Sequence, residues 1–284
     1  MLKLERNVMS EKLHATATLF ICPICQETFS AQEKRFVCPQ GHSFDMGKQG
    51  YINLLRNAKK DKHYDKRSFE ERHQILESGF YDHILEAVAQ LGLSETKNQV
   101  ILDVACGEGY YARQLAQMVK NTVLAFDLSK DSITLAAKKD KDKDVAWFVG
   151  DLAKLPLADQ SVDLILDIFS PANYQEFKRV LKPGGKIIKV VTASQHVTEL
   201  RQAALEQLQT KNYSNVKIIS HFAQAFPHYR SNHISQTFPA TIDVLKSFAQ
   251  MTPLFFHVDL EKIDWKSIDQ ITIAADILVA DYHD

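Results

Sequence analysis

Three cysteines and a histidine near the start of the chain limit what its first part can become. Cys22-Pro-Ile-Cys25 is followed, after twelve residues, by Cys38-Pro-Gln-Gly-His42. Four such side chains close a tetrahedral shell around zinc and leave no open position for water or substrate. The metal then builds structure, and the chemistry has to lie elsewhere. A disulfide pair with a spare thiol is the competing reading. The first twenty residues carry Lys3, Glu5, Arg6, Glu11 and Lys12, with no apolar stretch of the kind a secretory leader needs. That favours a reducing compartment, the cytoplasm, where thiols hold metal rather than pair. Phe20, Phe29, Phe36 and Phe44 are spread around the ligands. They are expected to form the small apolar core that such a module needs.

A chain of 284 residues makes one large or two ordinary domains. Its net charge of -1 gives no overall bias toward nucleic acid, and no run of 18 apolar residues offers a membrane span. The local distribution says more. Residues 56–67 (RNAKKDKHYDKR) are strongly basic and suit RNA phosphates, or else a solvated linker. The expected organisation is an extension over 1–19, a zinc-binding module over 20–55, a basic linker with a helix over 56–81, and a catalytic domain over 82–284. On that organisation, chelation would unfold the N-terminal module and leave the catalytic domain largely intact.

From residue 100 the pattern changes. The apolar run 100–104 contains Asp103 and leads into Ala105-Cys-Gly107-Glu108-Gly109, then a helical stretch from Tyr110 to Val119. A strand, a glycine turn and a helix bring backbone close to a ligand and set unpaired helix N–H groups beside it. A second strand, 121–126, ends at Asp127, where dinucleotide-binding folds take ribose hydroxyls. Helix 133–139 and strand 145–149 follow, then Gly150-Asp151-Leu152. Strand 162–169, helix 173–181, the turn Lys182-Pro183-Gly184-Gly185 and strand 186–191 complete the run. Strands alternating with helices predict an α/β fold with a doubly wound, Rossmann-like parallel sheet. Two further strands are expected late in the chain, one of them over 271–277.

This order resembles the class I S-adenosylmethionine-dependent methyltransferases, with Ala105 in place of the first glycine of D-x-G-x-G-x-G. The resemblance implies that Gly107 and Gly109 make room for the methionine part of S-adenosylmethionine. It also implies that Asp127 bonds the ribose, that Asp151 and the Leu152 backbone lie near the adenine, and that Asp103 orients the loop and the cofactor amine. The text between the zinc ligands and this domain, Cys38-Pro-Gln-Gly-His42-Ser-Phe44-Asp45-Met46-Gly-Lys48-Gln-Gly50-Tyr51-Ile-Asn53-Leu54-Leu55, resembles the RlmA family of 23S ribosomal RNA guanine-N1 methyltransferases, which includes relatives that confer macrolide resistance. Gly107-Glu108-Gly109-Tyr110-Tyr111, Ser170-Pro171 and Met251-Thr252-Pro253 agree with it.

The resemblance implies Zn2+ on Cys22, Cys25, Cys38 and His42. It implies cofactor contacts from Tyr81, Glu108, Gly109, Tyr110 and His196, a 23S rRNA partner, and a homodimer. On the residues alone, Tyr81 and His196 read as packing. The segment before Tyr81 departs from the family: of residues 71–76, only Arg72 and Leu76 match well. No general base is assigned. Asp167 is a candidate by position, and a turn-holding acid is the equal reading. Phe169, Tyr110 and Tyr111 are candidate stacking partners for an unstacked base. Two other functions fit the same residues: a methyltransferase for a small molecule, and a zinc-bearing RNA-binding protein with a decayed cofactor site.

Overall fold

The structure is a computed structural model that describes residues 13–55, 66–94, 98–118, 120–208 and 213–283, with backbone only over 66–71. Most of the expected extension and of the basic run at 56–67 lies outside the described residues. The chain begins with short strands β1 (Ser30–Gln32), β2 (Arg35–Val37), β3 (Ser43–Asp45) and β4 (Tyr51–Asn53), then helices α1 (Lys66–Glu77) and α2 (Asp82–Gly92). The alternation follows: β5 (Val100–Val104), α3 (Tyr110–Met118), β6 (Thr122–Asp127), α4 (Lys130–Lys139), β7 (Val145–Val149), β8 (Val162–Ile168), α5 (Tyr174–Val180) and β9 (Leu181–Thr192). It ends with α6 (Thr198–Ala203), α7 (Val216–Ala225), β10 (Tyr229–Pro239), α8 (Ile242–Met251) and β11 (Gln270–Asp281).

These elements divide into two compact units. One comprises the described residues of 1–62, 92–188 and 280–284, and the other those of 63–91 and 189–279. The division does not follow the linear order expected from sequence. The zinc segment shares its unit with the alternating strands, while residues 82–91 belong to the second unit.

In the first unit the strands lie in the order β9-β8-β5-β6-β7-β4. The β8–β5, β5–β6, β6–β7 and β7–β4 pairs are all parallel. From β5 the chain builds outward through β6 and β7, then returns to build on the other side with β8 and β9. That is doubly wound order, and it places the topological switch point between β5 and β8. Strands covered on both faces must be apolar throughout rather than alternating. Val145-Ala-Trp-Phe-Val149 satisfies this, with all five residues buried. Helix α4 starts where the Ser129 hydroxyl accepts the Ser132 N–H, and it ends with Lys138 and Lys139, charges that suit the carboxyl end of its dipole.

The zinc segment is joined to this sheet at two places. β4 pairs in parallel with β7, setting Tyr51 opposite Trp147 and Ile52 opposite Phe148. Earlier in the chain, Ile21 N–H donates to the Pro156 carbonyl at 3.1 Å and Ala158 N–H to the Leu19 carbonyl at 2.9 Å. Between these seams the Phe20 ring lies edge-on to Phe148 at 5.1 Å and 5.5 Å from Phe36. Phe29 is 5.5 Å from both Phe36 and Phe44. The four phenylalanines thus form the expected small core, and Phe20 extends it into the main one.

Two strands differ from the sequence expectation. β9 begins at Leu181 rather than 186, because the Pro183-Gly184 turn still pairs: Gly184 N–H donates to the Tyr282 carbonyl and Tyr282 N–H to that of Gly185. Of the two late strands expected, the residues place only the one over 271–277; β10 is the other. It is the outer strand in the order β10-β11-β9 of the second unit, and its residues are nearly all exposed or half-exposed. It therefore carries little apolar periodicity to read.

Candidate metal centre and ligand loop

Cys22, Cys25, Cys38 and His42 bring their ligand atoms within 4.8 Å of one another. Cys25 Sγ is 3.5 Å from Cys38 Sγ, and His42 Nδ1 lies 3.3 Å from Cys38 Sγ and 3.7 Å from Cys22 Sγ. Zinc–sulfur bonds of about 2.3 Å in a tetrahedron separate the sulfurs by somewhat under 4 Å. The four residues therefore fit zinc as they stand, with no disulfide among them. Two turns create the site. The Gln26 N–H donates to the Cys22 carbonyl, and the Gly41 N–H to that of Cys38. Each turn folds its ligand pair back on itself.

The second candidate site lies at the carboxyl ends of β5, β6 and β7, all in the first unit. Cys106 N–H donates to the Phe126 carbonyl and Gly107 N–H to Asp127 Oδ2 at 3.0 Å, so the glycine loop is tied across to the end of β6. Asp127 Oδ1 also accepts the Ser129 N–H. Gly150 N–H donates to the Asp127 carbonyl, which brings the Asp151 turn alongside. Asp151 is exposed and accepts the Ala153 N–H, while the Leu152 carbonyl takes Asn173 Nδ2.

The two loop glycines have different reasons. Gly107 is buried with φ +59°, yet a side chain there would meet nothing within 4 Å. Backbone enclosed beside empty space is what a ligand needs for close approach. Gly109, at φ +76°, faces protein: a Cβ would stand 2.3 Å from the Trp147 ring. That ring is locked by its Nε1–H donating to Asp140 Oδ2 at 2.9 Å. The Cβ side of Gly109 is thus filled by tryptophan, so only glycine fits there. Ala105, in the place of the usual first glycine, adopts φ +48°, a left-handed conformation in which its methyl is strained.

Under the loop sit buried acids. Asp103 is 3% exposed, and its Oδ2 has no hydrogen-bond partner among the described residues. Burial, then the nearby Glu108, Asp127 and Asp167, push its pKa up to about 8. A buried carboxyl that accepts the Ala112 N–H but leaves Oδ2 without a partner among the described residues, in a cluster of acids, suits a cation, and the ammonium and sulfonium of S-adenosylmethionine are cations of the right kind. Residues and cofactor fit. Glu108 is itself buried, and the buried Arg113 donates to its carbonyl. Arg113 was not anticipated as a holder of this loop; its spacing five residues after Glu108 is the only signal. Tyr110 is buried at the start of α3, edge-on to Tyr111 at 5.1 Å. The Cys106 thiol is held well above its ordinary pKa by burial and by Asp103, which keeps it neutral and unfit as a nucleophile.

Asp167 is completely buried at the end of β8, and the Ser170 hydroxyl donates to its Oδ1. A carboxyl so enclosed serves the turn at 168–170 and is poorly placed to take a proton from an incoming base.

Tyr81 and His196 belong to the second unit and meet there. Their ring centroids are 6.3 Å apart, and Tyr81 also stacks on Phe248. Tyr81 is 4% and His196 9% exposed. Burial, then the Arg201 charge, lower the His196 pKa to about 4, so the ring is neutral near pH 7. Ala274 N–H donates to its Nδ1 at 3.3 Å, which leaves the proton on Nε2. His196 is followed by Val197 at φ +46°, a conformation that a β-branched residue rarely adopts.

Residues 20–62 match the protein family described as RlmA, N-terminal, and residues 101–185 the one described as Methyltransferase domain. The chain is 34% identical to the Bacillus subtilis protein YxjB, named as a 23S rRNA (guanine-N1)-methyltransferase, over 92% of this chain and 96% of that one. It is 28% identical to the 23S rRNA (guanine(748)-N(1))-methyltransferase of Streptomyces fradiae, covering 85% of this chain and 87% of the relative. Among solved structures, Haemonchus contortus phosphoethanolamine N-methyltransferase 2 superposes with a TM-score of 0.53 at 19% identity, covering 78% of this chain and 58% of that one. That likeness concerns the fold.

Proposed function

This chain belongs to the RlmA family, and from that premise we propose that it transfers a methyl group from S-adenosylmethionine to N1 of a guanine in 23S ribosomal RNA. The observation that carries the reading is the full-length likeness to YxjB, joined to a structure in which the zinc segment and the glycine loop share one compact unit. A hairpin loop is the proposed target region, because guanine N1 is engaged in any Watson–Crick pair and must be unpaired to be attacked.

The residues divide the work. Zn2+ on Cys22, Cys25, Cys38 and His42 holds the N-terminal segment against the edge of the sheet and takes no part in bond making. The bound cofactor supplies an electrophilic methyl on a sulfonium. Asp103 meets its positive charge, Gly107 leaves space for its backbone-side atoms, and Asp127 and the Asp151–Leu152 turn are proposed for the ribose and adenine. Orienting the guanine in line with the methyl–sulfur bond supplies much of the rate, since a near-attack geometry removes most of the entropy of a two-body encounter. By the family resemblance, Tyr81 and the neutral His196 are proposed as cofactor contacts, with His196 Nε2–H as a donor. The basic run at 56–67 is proposed to grip RNA phosphates. The cytoplasm, where ribosomal RNA is made and assembled, is the proposed site of action. No helix among the described residues is long and apolar enough to cross a membrane.

The test is methyl transfer from labelled S-adenosylmethionine to unmodified 23S rRNA, with the product nucleoside identified by mass spectrometry. One 1-methylguanosine at a single position is the expected result. Cofactor binding with no label in RNA would sink the RNA reading and favour a small-molecule acceptor.

A further inference from the structure

Residues 151–159 form a strap with little regular structure of its own. It follows β7, carries the Asp151–Leu152 turn, and then runs past the zinc segment. Its backbone groups are satisfied on two edges. On one edge the Pro156 carbonyl accepts the Ile21 N–H and the Ala158 N–H donates to the Leu19 carbonyl, so Phe20 and Leu157 face each other in an antiparallel bridge. Ile21 directly precedes the zinc ligand Cys22.

On the other edge two side chains stand where a neighbouring strand would. Arg179 donates through Nη2 to the Leu155 carbonyl at 2.9 Å and through Nη1 to the Leu157 carbonyl at 2.7 Å. Glu176 Oε2 accepts the Leu155 N–H at 2.7 Å. Paired bonds from Arg179 Nε and Nη2 to Glu176 hold the guanidinium fork in this position. Leu155 and Leu157 are 1% and 0% exposed, so their carbonyls would be left without a donor if the arginine went. Three residues before Glu176, Asn173 caps α5 and gives its amide to the Leu152 carbonyl. Asn173, Glu176 and Arg179 recur at a spacing of three, which keeps them on one side of the helix. One side of α5 thus grips the strap from the Asp151–Leu152 turn to the seam with the zinc segment.

Two ligands that order opposite ends of one segment share the cost of ordering it. We infer that Arg179 is a positioning residue that couples the zinc centre to the cofactor site through this strap, so that zinc and S-adenosylmethionine each raise the affinity of the protein for the other. The inference rests on the reading of Asp151 and Leu152 as neighbours of the adenine and needs no RNA. The fork matters rather than the charge, because a lysine is a point charge and cannot serve two carbonyls and a carboxylate at once. The ion pair from Arg179 to Asp159 is not part of the coupling. The Asp159 side chain is 75% exposed, and pairs of that kind contribute little.

The experiment uses the full-length protein without RNA. Zinc affinity is measured by competition with a chromogenic chelator, with and without saturating S-adenosylmethionine, and cofactor affinity of the zinc-loaded protein by calorimetry. In the wild type, saturating cofactor should raise zinc affinity by about fivefold or more. Arg179→Lys should weaken S-adenosylmethionine binding by about tenfold and cut the effect of cofactor on zinc to below about twofold. Asp159→Asn should behave as wild type in both measurements. A general loss of packing would lower zinc affinity equally with and without cofactor, so the ratio of the two isolates the coupling. Equal zinc affinity with and without cofactor in the wild type would overturn the inference, whether or not any variant folds. Normal cofactor binding by Arg179→Lys, or an equal loss with Asp159→Asn, would remove Arg179 from the role. A wild-type zinc protein that binds no S-adenosylmethionine would bring down the cofactor reading and the inference with it. Unlabelled RNA with the coupling intact would bring down the RNA reading alone.

Discussion

The zinc ligands come from 21 consecutive residues, Cys22 to His42, whereas the ligand loop draws Asp103, Gly107, Asp127 and Asp151 from the ends of three different strands. Both lie in the same compact unit. The first site is closed by two local turns and would form wherever its segment was. The second exists only because β5, β6 and β7 pair in one register. A local site tolerates change in its surroundings, and a register-built site does not. The comparison would be simple but for β4 and Phe20, which make the local site part of the sheet.

The largest test removes the metal. Apparent zinc affinities in small structural sites are worth on the order of 10 kcal/mol, comparable with the whole stability of a domain. Chelation, or Cys38→Ser, should therefore unfold the segment at 20–55. Because β4 pairs with β7 and Phe20 packs on Phe148, the damage should reach Trp147 and change its fluorescence, and methyl transfer should be lost. This differs from the sequence expectation of an intact catalytic domain. Unchanged tryptophan emission with full cofactor affinity would restore the picture of an independent module.

Within the loop, the two glycines allow a finer comparison. Gly109→Ala drives a methyl into Trp147 at a left-handed position and should destabilise by roughly 2–4 kcal/mol. Gly107→Ala meets open space, so its cost in stability should be only about 1 kcal/mol, while S-adenosylmethionine binding should weaken by about tenfold or more. Thermal melts and calorimetry separate the two. A Gly107→Ala protein that binds cofactor normally would show that the space beside it is not the cofactor's.

A third test concerns pH. The Asp103 carboxyl has its pKa raised in the folded protein, to about 8 from 3.8. Between those values the folded state holds a proton that the unfolded state has released, so stability falls as pH rises through that window. Asp103→Asn removes the dependence. The cofactor-free variant should be more stable than wild type at about pH 8–9, by at least about 1 kcal/mol, and should bind S-adenosylmethionine more weakly. Identical stability profiles for the two proteins from pH 5 to 9 would remove Asp103 as the buried titrating group.

The smallest effect is expected at Ala105. Glycine there relieves a left-handed alanine, and Ala105→Gly should stabilise by about 0.5–1 kcal/mol, offset in part by greater freedom of the unfolded chain. A loss of stability would mean that the methyl packs usefully despite its strain.

Much of this was legible in the residues. The ligand spacing, the glycine turn and the apolar runs at 100–104, 145–149 and 162–168 carry local signals that a folded chain has little freedom to ignore. Asp103, Gly107 and Asp127 could be named because a strand followed by a glycine turn places its ends predictably. β10, the second of the two late strands expected, could not be placed, since an outer strand with no buried residue shows no apolar face. The three residues of β4 are too short to show a period, and their partner lies nearly a hundred positions away.

By itself, then, the sequence determined the zinc ligands, the doubly wound order and the family, because each rests on spacing within a short stretch. Tertiary structure alone decided that Gly109 serves Trp147 while Gly107 faces open space. It also decided that Asp103 Oδ2 is buried without a hydrogen-bond partner among the described residues, and that Asp167 is enclosed. The physical reason is the same in each case: burial, charge and free space at one residue are set by neighbours that only the folded chain brings to it.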